Sequence, residues 1–382
     1  MSATSRASAM SPDRQDRPAL VLRGLEKSFG DVAAVDGVDL EVRQGEFITL
    51  LGPSGSGKTT TLRMIAGFTS QTAGTIEIDG VDMSQVPPHR RDVGMIFQNY
   101  ALFPHMTAAQ NIAFPLEMRR TARSEITSRV TEALALVKLD GYGNRYPRQL
   151  SGGQQQRIAF GRAVVFHPRL LLMDEPLGAL DKKLREALQL EVMHISRQLG
   201  ATVIYVTHDQ EEALVMSDRI AIFSRGRIEQ LGRGDDLYDR PVSLFVADFI
   251  GESNILRGQV ERDADGRWLA RGGLRWRVGP AQAERAAVAD GSAAALVIRP
   301  ERLRITGIDD DAALQGLNAA EATVRDALYL GSTRKYELTL VDGQDVSVRR
   351  QVDSGERAWQ PGERVRLLWT VDDAVLVSVP GA

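Results

Sequence analysis

The segment Gly52-Pro-Ser-Gly-Ser-Gly-Lys58-Thr59 constrains the fold of this chain more than any other part of its sequence. It fits the pattern G-x-x-x-x-G-K-[ST], follows an apolar run at residues 47–51, and opens a segment predicted to be helical through Ala66. Glycines let backbone N–H groups turn towards phosphates, and the N-terminus of the following helix adds partial positive charge. A chance Gly/Ser-rich turn is the alternative, which the strand before it and the helix after it disfavour.

This loop predicts how a nucleoside triphosphate binds. Lys58 is placed to reach the β- and γ-phosphates, and the hydroxyl of Thr59 is placed to bind Mg²⁺. We therefore predict that the nucleotide contacts nine residues: Gly52, Pro53, Ser54, Gly55, Ser56, Gly57, Lys58, Thr59 and Thr60.

The rest of the first 251 residues alternates short β-rich apolar runs with amphipathic segments. The runs at residues 47–51, 170–173, 203–206 and 220–223 are predicted to be strands buried on both faces. Between them, residues 126–137 and 184–199 carry apolar side chains at spacings of three and four, which predicts one apolar stripe on each of two helices. This alternation is typical of an α/β domain around a largely parallel sheet.

The composition changes after residue 251. All four tryptophans lie there, and strand-like stretches are interrupted by turns at Asp265-Gly266 and Asp342-Gly343. We predict three parts: a disordered tail at residues 1–19, an α/β domain at 20–251, and an all-β domain of the oligonucleotide-binding-fold type at 252–382. At 382 residues, two domains suit the length of the chain.

Charge and composition disfavour several classes of function. The net charge of −3 offers no basic field for nucleic acid, so we expect no nucleic-acid partner. The longest apolar run, residues 293–298, is far shorter than the roughly 18 to 20 residues that span a bilayer. Residues 1–19 lack the apolar core of a secretory signal. The absence of cysteine excludes disulfides, Cys-ligated zinc and thiol catalysis, and it suits a cytoplasmic protein.

Ionisable side chains follow two more of the predicted strands. The run at 170–173 ends in Asp174 and Glu175, and the run at 203–206 is followed by His208. Side chains at the C-terminal edge of an open α/β sheet meet its ligand. We therefore expect Asp174 to face Mg²⁺, Glu175 to face the attacking water and His208 to contact the γ-phosphate. A solvated strand end and a structural histidine are the alternatives, which the nearby phosphate-binding loop disfavours.

The loop after residue 97 is unusually apolar for a surface connection. Gln98 follows the run at 93–97, and residues 99–106 include Tyr100, Phe103 and Met106. An exposed apolar patch commonly marks an interaction site. A buried strand end with a packed loop is the alternative.

A second glycine-containing segment, Leu150-Ser-Gly-Gly-Gln154, separates this chain from most proteins with a phosphate-binding loop. In order, the motifs over residues 20–250 resemble the complete set of an ABC transporter ATPase: the loop at 52–59, Gln98, residues 150–154, Asp174-Glu175, Gly178-Ala-Leu-Asp181 and His208. The Ser-Gly-Gly turn is predicted to open a helix at residues 155–165. The phrases Val297-Ile-Arg-Pro-Glu301 and Tyr329-Leu-Gly-Ser332 resemble the β-rich regulatory domain of importer ATPases.

The resemblance implies ATP and Mg²⁺ as cofactors and assigns roles to single residues. Glu175 would be the general base, His208 would stabilise the γ-phosphate, and Thr59, Gln98 and Asp174 would hold Mg²⁺, partly through water. Phe29 would stack on adenine, with simple core packing as the alternative. Residues expected to act on ATP bound by the other subunit are Ser151, Gly152, Gly153, Gln154 and Asp181.

The same resemblance implies the partners. These are a second copy of the ATPase, membrane permeases contacted through residues 98–106, and, indirectly, an extracytoplasmic solute-binding protein, with the ATPase peripheral on the cytoplasmic face of the inner membrane. The sequence of residues 90–105 is similar to the corresponding segment of ATPases that serve importers of spermidine and putrescine. Ferric iron, sugars and other small solutes remain alternatives for the transported solute. Two different classes also stay open: a soluble ABC protein of translation or DNA repair, and a regulator in which the β-rich domain senses substrate.

Overall fold

The computed structural model describes residues 17–178, 182–308, 316–353 and 357–379. The chain forms two compact units that divide between Gly234 and Asp235. The predicted domain boundary lies after Gly251 and stays a prediction. Residues 235–251, which it assigns to the first domain, lie in the second unit of the structure. None of the described helices is long and apolar enough to cross a membrane.

The first unit contains two sheets. Its strands are β1 (Leu20–Phe29), β2 (Val32–Val42), β3 (Phe47–Leu51), β4 (Ala73–Ile78), β5 (Val81–Asp82), β6 (Val93–Ile96), β7 (Leu170–Asp174), β8 (Thr202–Thr207), β9 (Arg219–Ser224) and β10 (Arg227–Gly232). The central sheet has the order β10-β9-β3-β8-β7-β6, and β9, β3, β8, β7 and β6 are parallel. The second sheet, β2-β1-β4-β5, is antiparallel.

The parallel strands are buried because helices cover both faces of the sheet. Every residue of β3, β7 and β8 is buried, as the uninterrupted apolar runs predicted. The helices of the first unit are α1 (Lys58–Ala66), α2 (Ala108–Met118), α3 (Arg123–Leu136), α4 (Gly152–Val164), α5 (Lys182–Leu199) and α6 (Gln210–Met216). Single 3-10 turns lie at Pro88–Arg90 and Pro147–Gln149. The predicted α/β class is confirmed.

The predicted apolar stripes are present on α3 and α5. Val130 and Val137 are buried at α3, and Leu188, Val192 and Ile195 are buried along α5. These side chains join α2 and α4 in one hydrophobic core against the central sheet. Regular spacing of apolar residues is enough to predict such a face, because each helix buries a single stripe.

The second unit is built from two antiparallel sheets of five strands, in the orders β13-β12-β11-β14-β20 and β15-β19-β16-β17-β18. Its strands are β11 (Asn254–Asp263), β12 (Gly266–Arg271), β13 (Leu274–Val278), β14 (Ala293–Ile298), β15 (Arg304–Gly307), β16 (Leu317–Tyr329), β17 (Thr333–Leu340), β18 (Asp345–Gln351), β19 (Arg364–Thr370) and β20 (Ala374–Ser378). Helix α7 (Gly234–Asp239) begins at the division between the units, and α8 (Leu244–Phe249) and α9 (Pro280–Arg285) follow it. All three helices are short. Two 3-10 turns lie at Pro300–Arg302 and Val371–Asp373. The predicted β-rich, OB-like domain is confirmed.

The two sheets of the second unit share a core of inward-facing side chains. Trp276 and Trp369 are fully buried there, with ring centroids 6.3 Å apart. The predicted Asp-Gly turns at 265–266 and 342–343 join β11 to β12 and β17 to β18. Alternation of buried and exposed residues along these strands explains why their sequence pattern is weaker than that of the parallel strands.

Arg299 holds the start of the second unit to its sheets. The guanidinium is buried and donates hydrogen bonds to the carbonyl oxygens of Tyr238 (2.7 Å), Ala247 (3.0 Å) and Ile250 (2.6 Å). Burial lowers the pKa of Arg299. These bonds satisfy carbonyls at the ends of α7 and α8, which have no partner within their own helices. Residues 235–251 therefore pack with the β-rich domain.

We predict that Arg299→Met lowers the free energy of unfolding of the second unit by about 3 kcal/mol, because it leaves several buried carbonyls without a donor. Urea unfolding followed by tryptophan fluorescence measures this unit alone, since all four tryptophans lie in it. The control is Arg277→Met, at an exposed position of β13, with an expected change within about 0.5 kcal/mol. Equal effects of the two substitutions would contradict the role of Arg299.

Candidate functional site

The parallel register brings four strand ends to one edge of the central sheet. Leu51 of β3 lies opposite Thr207 of β8, and Val206 lies opposite Asp174 of β7. β6 follows at the end of the sheet, next to β7. The residues that leave these strands are therefore neighbours, although they are far apart in the chain.

Steric contacts shape the loop between β3 and α1. A Cβ atom on Gly52 would lie 2.3 Å from the carbonyl oxygen of Phe223, and one on Gly57 would lie 2.5 Å from that of Ala34. Gly57 also has a φ of 105°, which disfavours any side chain. Gly52, Ser56 and Gly57 are buried, whereas Pro53, Ser54 and Gly55 are exposed. The loop therefore presents its exposed tip while its two ends pack against neighbouring strands.

The ammonium group of Lys58 folds back over this loop. Its Nζ donates to the carbonyl oxygens of Gly52 (2.7 Å) and Pro53 (2.8 Å). Burial lowers the pKa of Lys58, while the negative charges of Glu175 and Asp174 oppose that shift. The lysine thus places positive charge inside the loop, close to two carboxylates.

Asp174 and the first turn of α1 form a small polar cluster. The hydroxyl of Thr59 donates to Oδ1 of Asp174 at 2.9 Å, and Thr60 follows it at a half-buried position. Burial raises the pKa of Asp174, and the hydrogen bond from Thr59 opposes that shift. The described residues contain no group of three or more His, Cys, Asp or Glu side chains that could hold a metal ion. One carboxylate beside one hydroxyl fits Mg²⁺, which protein sites typically hold with few side chains together with water and substrate phosphates.

Glu175 lies at the centre of the edge. Its Oε1 is 3.3 Å from Nδ1 of His208, and its Oε2 accepts a hydrogen bond from Nε2 of Gln98 at 3.4 Å. Its backbone has a φ of 45°, a left-handed conformation that is uncommon away from glycine, and its N–H donates to the carbonyl of Val206. Such backbone strain is often found at functional sites. Glu175 is thus in contact with both His208 and Gln98, two other predicted site residues.

Ser151 begins α4 as its N-cap residue. The hydroxyl of Ser151 accepts from the N–H of Gln154, and the side chain of Gln154 accepts from the N–H of Ser151. The helix was predicted to begin at Gln155, which was wrong: this capping box starts the helix at Gly152 and includes Gly153. Among the described residues, no hydrogen bond or ion pair joins Ser151 or Gln154 to Lys58, Asp174 or Glu175. Asp181 lies outside the described residues.

Phe29 ends β1 with an exposed ring. Its side chain is 55% exposed, and Nζ of Lys27 lies 5.0 Å from the ring centroid. Exposure disfavours the alternative of simple core packing for this residue. An accessible aromatic face remains compatible with stacking on a purine base.

The loop at residues 99–106 is partly packed, and its role as an apolar interaction site stays a prediction, because some of its residues are exposed and others are half-buried or buried. Tyr100 is buried, and the ring of Phe103 lies 4.7 Å from that of Phe114. The buried side chain of Asn111 accepts from the N–H of Phe103 and donates to the carbonyls of Phe103, Met106 and Thr107. These hydrogen bonds satisfy several polar atoms of the backbone, so part of this apolar loop can pack against α2.

Sequence patterns did not identify Arg162, which ties this loop to α4. Its guanidinium donates to the carbonyl oxygens of Tyr100 (2.8 Å) and Ala101 (2.7 Å), two residues with positive φ. Burial lowers the pKa of Arg162. An arginine four residues after Ile158, on the apolar face of the helix, was the available signal, because a cation is rarely buried without hydrogen-bond partners.

Comparison with known proteins gives a consistent picture. The family profile described as ABC transporter matches residues 35–178, and the TOBE domain profile matches residues 296–377. The spermidine/putrescine import ATP-binding protein PotA of Rubrobacter xylanophilus is 48% identical, with 93% of each chain covered. The putrescine transport ATP-binding protein PotG of Escherichia coli is 45% identical, with 95% of this chain and 96% of the relative covered. A similar solved structure is a dimeric ATP-binding cassette in a post-hydrolysis state, bound to ADP and Pi. It is 34% identical to this chain with a TM-score of 0.51, and the match covers 56% of this chain and 98% of that chain.

We predict that Gly52→Ala weakens nucleotide binding by at least about tenfold, because the added Cβ collides with the carbonyl of Phe223 and displaces the loop. Titration with a fluorescent ATP analogue measures the affinity. Gly307→Ala, in the second unit, is the control, since its Cβ would meet its nearest neighbour at an ordinary 3.8 Å. Unchanged affinity in a folded Gly52→Ala protein would show that the loop does not bind the nucleotide in this form.

Proposed function

The chain belongs to the family of ABC transporter ATPases, and from this membership we propose that it powers the uptake of a small solute, most specifically a polyamine. As an ATPase of this family it binds and hydrolyses ATP. The observation that carries the mechanism is the contact of Glu175 with both Gln98 and His208 beside the loop that holds Lys58.

In this proposal the loop from Gly52 to Thr60 binds the phosphates. The backbone N–H groups and the N-terminus of α1 face the anion, and Lys58 exchanges its carbonyl partners for phosphate oxygens. Phe29 stacks on the adenine. Thr59, Asp174 and Gln98 hold Mg²⁺, partly through water, and the ion supplies charge stabilisation to the phosphates when bound.

Glu175 is the proposed general base. Its carboxylate accepts a proton from the attacking water, and Gln98 and His208 hold the carboxylate from two sides. His208 then faces the γ-phosphate from the strand next to β7. Because phosphoryl transfer depends mainly on positioning and electrostatics, groups that are preorganised on neighbouring strand ends suit this reaction.

The proposed working form is a homodimer. Ser151, Gly152, Gly153 and Gln154 cap a helix of 13 residues, and the N-terminus of such a helix favours an anion. We propose that this N-terminus meets the γ-phosphate of ATP bound by the partner, together with Asp181. The dimeric state of the similar cassette with ADP and Pi supports this arrangement.

The proposed transport partners are integral membrane permeases, which receive the ATPase on the cytoplasmic face of the membrane. The exposed residues of the 98–106 loop and the helical layer behind it are the proposed contact. An extracytoplasmic protein delivers the solute. Two relatives named for spermidine/putrescine import and putrescine transport support a polyamine, whereas ferric iron and sugars are the alternative solutes. The β-rich domain is proposed to regulate the ATPase.

We predict that Glu175→Gln lowers kcat for ATP hydrolysis by at least about 100-fold, because an amide cannot accept the proton of the attacking water. ATP affinity should stay within about threefold, and the variant should accumulate as a dimer in ATP. Phosphate release, fluorescent ATP binding and size-exclusion chromatography measure the three quantities. Glu211→Gln, at an exposed position of α6, is the control. Full ATP hydrolysis by Glu175→Gln would show that Glu175 is not the general base.

The solute is tested in cells that lack polyamine uptake and carry this chain with the permeases encoded beside it. We expect uptake of radiolabelled putrescine or spermidine, and loss of uptake when the chain carries Lys58→Ala. Ferric iron and maltose are the comparison solutes. Uptake of either comparison solute without polyamine uptake would contradict the proposed solute. The proposed role of the chain as the ATPase of an importer would stand.

A further inference from the structure

His208 lies in a two-residue turn between β8 and α6, and the turn is fixed at both ends. Oδ1 of Asp209 accepts hydrogen bonds from the N–H groups of Glu211 (2.9 Å) and Glu212 (3.2 Å), which caps α6. The N–H of Asp209 donates to the hydroxyl of Thr207 at 3.0 Å. The backbone that carries His208 therefore depends on the position of Asp209.

The buried carboxylate of Glu212 supports the same turn from the side of the hydrophobic core. Glu212 is 2% exposed, and it accepts hydrogen bonds from the hydroxyls of Tyr205 (2.8 Å) and Thr207 (2.7 Å). Tyr205 itself is fully buried in β8. Burial raises the pKa of Glu212, and the two hydroxyl donors oppose that shift. The turn is thus built into the core of the sheet on one side.

On the other side the turn is held by α5. Nη1 of Arg185 lies 3.0 Å from Oδ2 of Asp209, and its Nε lies 3.8 Å from Oε1 of Glu212. The two oxygens of Asp209 therefore have separate tasks: Oδ1 caps α6 and Oδ2 receives Arg185. Both partners of this ion pair are about one quarter exposed, so solvent screens it only in part.

Arg185 lies in the first turn of α5, which begins at Lys182. The helix follows Asp181, the residue proposed above to act at the ATP site of the partner. A displacement of the first turn of α5 would move Arg185, and Arg185 would move Asp209 and the turn next to it. The orientation of His208 towards Glu175 would change with it.

We propose that Arg185 is a positioning residue that sets the orientation of His208 by holding its turn to the first turn of α5. This inference rests on the proposed function, in which His208 faces the γ-phosphate. Arg185 contacts neither nucleotide nor water in this role. It acts through its ion pair with Asp209.

The test measures ATP hydrolysis by the full chain with Arg185→Gln, alone and combined with His208→Ala. We expect Arg185→Gln to lower kcat about tenfold while ATP affinity stays within about twofold, because a misplaced group slows the reaction without removing a ligand of ATP. In the His208→Ala background the same substitution should change kcat by less than about twofold, since there is no imidazole left to misplace.

Two further variants separate positioning from general loss of structure. Asp209→Asn keeps the capping oxygen but loses the charge that attracts Arg185, so it should reproduce Arg185→Gln and add little to it. Arg185→Lys should restore part of kcat. Arg197→Gln, at an exposed position of the same helix, is the control with unchanged kcat. Thermal unfolding confirms that each variant is folded.

Three outcomes would overturn the inference. One is a kcat of Arg185→Gln equal to that of the unsubstituted chain. Another is an equal loss in the His208→Ala background, which would mean that Arg185 acts elsewhere while the proposed ATPase site stands. The third is full hydrolysis by His208→Ala, which would remove both the proposed role of His208 and the coupling built on it.

Discussion

The parallel pairing of β3, β8, β7 and β6 is the constraint on which the rest of the structure depends. It requires helical crossovers, which bury both faces of the sheet, and it brings the C-terminal ends of all four strands to one edge. The phosphate-binding loop, His208, Glu175 and Gln98 each leave one of these strands. Their contacts follow from strand register, because the pairing of Asp174 with Val206 sets where Glu175 and His208 meet.

Much of this arrangement could be predicted from the sequence, for physical reasons. Strands buried on both faces are uninterrupted apolar runs, and helices with one buried face have apolar side chains spaced by three and four. Both patterns are local in the sequence, so these elements can be predicted without knowing what packs against them. The start of α4 was misplaced because a capping box depends on side-chain hydrogen bonds between Ser151 and Gln154. The burial of Arg162 was missed because it depends on carbonyl oxygens that only the folded chain brings together.

In the proposed dimer, one chain holds most of an ATP site and the other chain completes it. Within the first unit, Thr59 donates a hydrogen bond to Asp174, and Glu175 contacts His208. Among the residues described, the capped N-terminus of α4 makes no hydrogen bond or ion pair with Asp174 or Glu175. Two arginines connect separate segments: the buried Arg162 joins α4 to the loop after Gln98, and the partly exposed Arg185 joins α5 to the turn of His208.

The central claim is that ATP lies between the loop of one chain and Ser151 of another. The chain has no cysteine, so Ser54→Cys combined with Ser151→Cys and Glu175→Gln introduces two thiols and no others. A disulfide needs Cα atoms about 4.4–6.8 Å apart, so oxidation reports which thiols are neighbours. Oxidation in ATP, read by non-reducing electrophoresis, should give a covalent dimer that depends on both cysteines and on ATP. A monomer with an internal disulfide would contradict the account.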